Sequence, residues 1–359
     1  MICHKDELSQ FRVLSSLFSR FKAVNVMYPV LLIFMAMHGV WSTWEYQSEN
    51  WNDLAPLLAE NGYDTVFYCA AYGPATDIEG LRECYEACCE YNIAVHAWVV
   101  MWKTSQSPDS LVEALENERR FQVPINDDRA AGTWLCPTDS RNVELFSSLC
   151  MEIINQVPVE GIHLDYIRFA SDRVCFCHRC RQRFSSWMRR SGVNWPEDCY
   201  RGGRYHDSFN VWRAGVITSA VQAVRDSLDR LNRAVLLSAA VLPDSEEMDY
   251  FAQQWDTWVE TGLLDFVVPM NYSREDSEIV SWSSYQLRTA GDVPIYCGLI
   301  NYRDDYLFSA DDISRQQALA EELGFDGWVL FHLSNTAIEM LRNSLNAQSA
   351  ADCSTVESQ

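Results

Sequence analysis

At 359 residues and 48% hydrophobic, the chain is long enough for one large domain; a single α/β barrel commonly takes about 250 residues, so no second core is required. Fifty acidic against 28 basic residues leave a formal charge of −22, a field that repels phosphate backbones and anionic membrane surfaces and argues against a nucleic-acid or membrane partner. The thirteen cysteines are an odd number in a chain too large to need a disulfide scaffold, and several sit in apolar stretches where a thiol simply packs, so a cytoplasmic setting is expected over secretion.

In chain order, residues 1–26 read as an N-terminal extension. The apolar run "PVLLIFMAM" at 29–37 is shorter than the roughly 20 residues of a membrane span, and its long lead-in and missing A-x-A pattern argue against a signal peptide. Short β-rich runs then follow at 37–44, 65–73, 94–102, 161–169, 235–243, 266–272, 295–300 and 327–332. Amphipathic helical patterns lie between them, at 51–62, 78–92, 141–156, 208–231, 246–262, 277–290 and 311–323, the last two ending near Gly291 and Gly324 as helix C-termini often do. Eight such alternations predict a single-domain (β/α)8 TIM barrel over 27–345, with a polar C-terminal tail at 346–359. The intervals 103–140 and 170–207 are long, which puts large loops after strands 3 and 4 on the C-terminal face, where barrel active sites are built.

The fourth run, "EGIHLDYIRF" at 160–169, carries the informative residues. Alternation places His163 and Asp165 on one face and Leu164 and Tyr166 on the other. A buried carboxylate is costly unless paired or at a mouth, so Asp165 is expected at the C-terminal rim, where it acts in catalysis or braces a loop through Arg168. Other strand ends offer Trp44, Tyr72, Trp102, Asn271, Tyr272 and His332, which with His163 and Arg168 are the candidate substrate-binding groups; Trp44 and Trp102 are equally readable as core caps. His38 and His96 fall early in their strands and are read as core histidines.

The stretch "GIHLDYIRF" resembles the strand-four signature of the glycosyl-hydrolase-like family 10 barrels, a G-[IV]-H-x-D-Y-x-R-[YF] run. "HGVWST" at 38–43 is similar to that family's first strand, "WDTWVETGLLDFVVPMNY" at 255–272 to its segment leading into strand six, and "GFDGWVLFHL" at 324–333 to its last strand. The resemblance spans about residues 37–335 and implies a glycoside hydrolase acting on a neutral or amino-sugar polysaccharide. The segment is also distantly similar to strand four of the α-amylase superfamily, whose aspartate is the nucleophile. Family 18 chitinases are disfavoured, because Ile167 stands where their catalytic Glu would be.

Glycoside hydrolysis needs two carboxyl groups flanking the bond. Asp165 supplies one, as nucleophile or base. The second is sought among Asp244 and Glu45, ranked first, then Glu246, Glu275 and Asp276. Two rivals stand beside this reading: a non-catalytic glycan-binding barrel, and a metal-dependent barrel hydrolase using His163 and Asp165 as ligands. Hydrolysis itself calls for no cofactor. "CFCHRCRQRF" groups Cys175, Cys177 and Cys180 at a spacing that suits half of a zinc or iron–sulfur site, with Cys199 the proposed fourth ligand of a structural zinc. Arg179, Arg181 and Arg183 read as a solvated helix face. The oligomeric state is left open.

Overall fold

The computed structural model describes residues 36–43, 50–125, 133–231, 233–303 and 306–356, with side chains to residue 345. The extension at 1–26 and the candidates Trp44 and Glu45 lie outside the described residues. Eight strands follow one another around the barrel: β1 Met37–Ser42, β2 Thr65–Tyr72, β3 Ala94–Val100, β4 Gly161–Asp165, β5 Leu236–Val241, β6 Phe266–Pro269, β7 Cys297–Ile300 and β8 Gly327–Phe331. Neighbours in sequence pair in parallel, and β1 also pairs with β8. Parallel bridges Val267–Ile295 and Met270–Gly298 bring β6 against β7 and nearly close the ring, as the sequence pattern predicts.

Helices fill the connections: α1 Trp51–Glu60, α2 Ile78–Glu90, α3 Asp109–Asn117, α4 Ser140–Gln156, α5 His178–Met188, α6 His206–Asp229, α7 Ser245–Phe251, α8 Trp255–Glu260, α9 Asp276–Ala290, α10 Ala310–Leu323 and α11 Asn335–Val356. Local chemistry sets several ends. Asn50 and Asp77 accept the amides of Asp53 and Gly80, both at 3.0 Å. Ser309 and Asp312 form a reciprocal capping box, and Gly324 ends α10 at φ +94°.

Three departures from the sequence reading have physical reasons. The single helix expected at 246–262 is broken into α7 and α8. Ala252 turns left-handed, and the buried Gln253 side chain between them accepts Leu242 N at 2.7 Å and approaches the carbonyls of Ile167 and Ala240. Helix α11 runs across residue 346, where the polar tail was expected to start. His38 is no core histidine: it faces outward, stacked on Trp328 at 4.7 Å and 3.4 Å from Glu321. Among the described residues ten cysteines are free thiols. Among the described residues no helix is long and apolar enough to cross a membrane.

Rings dominate the barrel interior, with Val100, Val268 and Val329 packed among them. Phe67, His96, His163 and Phe266 form the lower plug, with centroids at 4.5 Å for Phe67–His163, 5.2 Å for Phe67–His96 and 5.4 Å for His96–Phe266. Trp41, Trp98, Phe331 and Tyr272 cap it. Gly161 makes room for this packing, because a Cβ there would sit 2.5 Å from His96 Nδ1 and 2.7 Å from Leu236 O. Burial drives the pKa of His96 down to about 4, and burial with His96 as neighbour drives His163 well below its ordinary value. Both rings are therefore neutral at pH 7.

Candidate active site

Asp165 is the last residue of β4 and its side chain points inward, in register with Val100 and one step above His163. Only 6% exposed, its carboxylate accepts Trp98 Nε1–H at 3.2 Å and the amide of Tyr166 at 2.6 Å. Burial raises its pKa; the charge of Arg168, the Tyr166 amide, the Trp98 bond and Lys103 pull it back without cancelling the rise. A carboxyl whose pKa is raised at the mouth of a barrel is suited to proton transfer.

The strand ends beside it turn abruptly. Trp102 and Tyr166 hold left-handed backbones, at φ +62° and +52°, which cost an L residue about 1–2 kcal/mol each. The turn at Tyr166 breaks strand alternation: its ring does not continue outward but packs against Trp134 at 5.4 Å and lies under two cations. Lys103 Nζ is 4.6 Å and Arg168 Cζ 4.8 Å from that ring's centroid. Arg168 also lies 5.1 Å from the Phe251 ring, and its Nε and Nη1 are buried without a hydrogen-bond partner. Burial opposes the charge on Lys103, but Tyr166, Tyr72 and Asp165 outweigh it and raise its pKa. Gly73 permits this approach of β2 to Lys103, since a Cβ there would meet Lys103 O at 1.7 Å.

Of the sequence candidates, the structure brings Asp165, Arg168, Tyr272 and Tyr72 together. Burial and then the Asp165 charge push the Tyr272 hydroxyl well above its usual range. His332 sits at the end of β8 against Phe331 at 4.7 Å and Tyr302 at 6.2 Å. Others are committed elsewhere. Trp102 is fully buried and packs edge-on against Phe146 at 5.1 Å. His163 lies inside the aromatic plug, its Nδ1 2.8 Å from Ser238 Oγ. Asn271 is turned toward α9: its amide donates to Gln286 Oε1 at 3.0 Å and receives Gln286 Nε2–H at 2.7 Å.

The carboxylates after β5 and β6 divide in the same way. Asp244 caps α7, accepting Glu247 N at 2.9 Å. Glu275 precedes α9 and its amide donates to Ser273 Oγ, while Asp276 is held by Arg315. Glu247, in the first turn of α7, is different: partial burial and then Asp244 raise its pKa, and the charge of Arg168 opposes them. Arg168 thus feels both Asp165 and Glu247. Sequence reasoning missed Glu247, Lys103, Tyr166 and Trp98. For Trp98 a signal existed, since it shares the inward parity of His96 on β3.

Trp98→Phe deletes one hydrogen bond to the ionised carboxylate and should raise the Asp165 pKa further, moving the acidic limb of a kcat/KM profile to higher pH. An unmoved limb on pH titration of the two proteins would detach that limb from Asp165.

The cysteine cluster lies beyond this mouth. Cys136, Cys175, Cys177 and Cys180 bring their Sγ atoms within 4.8 Å of one another, an arrangement that could hold a metal ion. The fourth member is Cys136, not the expected Cys199. Cys199 is buried in a short 3-10 turn, its thiol pushed up to about 12 by burial and Asp198. Among the described residues, no cluster of three or more potential metal ligands includes His163 or Asp165.

Fold and rim together define a single-domain (β/α)8 barrel with a buried acid at its C-terminal mouth. No protein-family model and no curated protein matches the chain. The glycoside hydrolase domain of PgaB (BpsB) from Bordetella bronchiseptica superposes with a TM-score of 0.69 at 11% identity, over 86% of this chain and 98% of that one. A hyperthermostable endo-1,4-beta-D-mannanase from Thermotoga petrophila gives 0.53 at 11% identity, over 83% and 88%. At such identities the likeness establishes the barrel fold and leaves the resemblance to family 10 resting on its own motifs.

Proposed function

We propose that the protein is a glycoside hydrolase cleaving a neutral or amino-sugar polysaccharide at the barrel mouth over Asp165. The observation that carries this reading is the environment of Asp165: a buried rim carboxyl with two hydrogen-bond donors and two cations, Lys103 and Arg168, in its field. In this reading Asp165 acts as nucleophile or base, and Glu247, whose pKa is also raised, serves as the acid that protonates the leaving oxygen. The charge of Arg168 favours the ionised form of both carboxyls and so limits both upward shifts. Tyr72, Tyr166 and Tyr272 supply faces and hydroxyls suited to a sugar ring. The chemistry needs water and these side chains, and draws on no cofactor.

The barrel likeness to glycoside hydrolases supports this assignment at the level of fold, and the strand-four motif supports the choice of Asp165. The experiment is release of reducing ends from a panel of neutral and amino-sugar polysaccharides by the wild-type protein. Glu247→Gln is expected to lower release about 10²-fold or more, with the smallest loss on substrates bearing an activated leaving group, which need no protonation. Loss that is equal on activated and unactivated substrates would take the acid's role from Glu247. Binding without release across the panel would assign the barrel mouth to glycan capture.

A further inference from the structure

We propose that Cys136, Cys175, Cys177 and Cys180 hold one structural zinc ion, which staples the loop after β3 to the loop after β4 behind the active-site wall. This goes beyond the hydrolase reading and does not rest on it.

Spacing is the first support. Tetrahedral zinc with Zn–S bonds of about 2.3 Å puts its sulfurs about 3.8 Å apart. Here Cys136 Sγ and Cys180 Sγ are 3.6 Å apart, and all four ligand atoms lie within 4.8 Å of one another. A disulfide requires about 2.05 Å, so these are separate thiols converging on one point. A polynuclear iron–sulfur cluster spreads its thiolates around several irons, and this set is too tight for that.

The surroundings are built for negative sulfur. The amide of Val123 points at Cys175 Sγ at 3.3 Å, and the amide of Cys180 at Cys177 Sγ at 3.4 Å. Cys177 is also the N-cap of α5, where the helix dipole favours negative charge. Arg213, completely buried, approaches from α6: its guanidinium donates to Ser171 O at 2.7 Å and Tyr250 O at 3.3 Å, and its charge is felt by Cys175 and Cys180. Four thiolates around a divalent ion leave two negative charges, which offset this buried cation. As the Zn–S bonds form, the zinc sheds its waters and the thiol protons pass to solvent; nothing is oxidised.

Topology gives the consequence. Cys136 comes from the connection after β3, Cys175 and Cys177 from the loop after β4, and Cys180 from the first turn of α5 that follows it. The same loops are laced by Ile125 N to Arg173 O at 3.0 Å, Phe176 N to Val123 O at 2.7 Å and Ala170 N to Gln122 Oε1 at 3.2 Å. Trp134, two residues before Cys136, packs on Tyr166 beside Asp165. Four closed ligands leave no open position, so the ion shapes the wall and takes no part in the reaction.

Protein purified without chelator should carry about one equivalent of zinc by elemental analysis, and native mass spectrometry should show a single ion lost together with four reactive thiols gained on mercurial titration. Cys199→Ser should keep the zinc, whereas Cys136→Ser should bind it at least tenfold more weakly. If Cys136→Ser fails to fold, cobalt exchanged into the wild-type protein provides a second measurement, with intense thiolate-to-metal and tetrahedral d–d bands expected. Folded wild-type protein with no zinc, with iron in its place, or with the four cysteines as two disulfides would overturn the proposal, as would full zinc retention in a folded Cys136→Ser.

Discussion

Asp165→Asn should lower reducing-end release by about 10²- to 10⁴-fold while leaving the melting temperature within a few degrees of wild type. The amide is nearly isosteric and can still accept a hydrogen bond from Trp98 or from the Tyr166 amide. What it cannot supply is the negative charge that attacks or takes a proton. Because burial already disfavours the ionised form, removing that charge relieves desolvation as much as it costs attraction to Arg168 and Lys103, which is why stability should change little. Parallel assays of release and thermal unfolding separate the two effects. Equal turnover in both proteins would make Asp165 a brace for Arg168, and a collapse in melting temperature would make it a structural anchor.

Stability should fall steeply in mild acid, and His96 should account for about 3 kcal/mol of that fall. Its pKa is about 4 in the folded protein against about 6.5 when unfolded. As pH drops below 6.5 the unfolded chain takes up a proton that the folded chain refuses. The contribution is complete above 6.5 and is lost progressively down to 4. His163, shifted in the same direction, adds to the loss. Asp165 acts oppositely: its raised pKa means the folded state holds the proton more tightly, returning some stability as pH falls from its folded value toward 3.8. Denaturant melts between pH 7 and pH 4 test this, with His96→Leu as comparison. The variant's slope of stability against pH should be shallower by up to about 1.4 kcal/mol per unit. An unchanged slope would mean that His96 is already solvated in the native state.

The two experiments probe different layers of one barrel. His96 and His163 belong to the aromatic plug that fills the lower interior, and Asp165 stands one step above it, where the plug gives way to the mouth. That neutral, ring-packed floor is what keeps water from the back of the carboxylate and raises its pKa. A polar substitution in the floor would therefore be felt in the pH profile of the site.

Much of this was readable from the chain alone, because the relevant periodicities are local. Alternation along β4 put His163 and Asp165 on the inward face and the carboxylate last. The helical stripes, the capping residues and Gly324 marked the connections, and eight repeats implied a closed parallel barrel. Other features needed partners far away in sequence. Tyr166 joined the mouth only because its backbone turns left-handed under Lys103 and Arg168, against the strand parity that placed it outside. Asn271 and Asp244 carry the right chemistry for a sugar site, but Gln286 and the amide of Glu247 claimed them. Glu247 became a candidate through its proximity to Arg168, from a different connection. The thiol cluster took Cys136 from the preceding loop and passed over the nearer Cys199. Short-range pattern decides which way a side chain leaves its own strand or helix; which groups meet at the end of two long excursions is decided by how those excursions fold over the barrel.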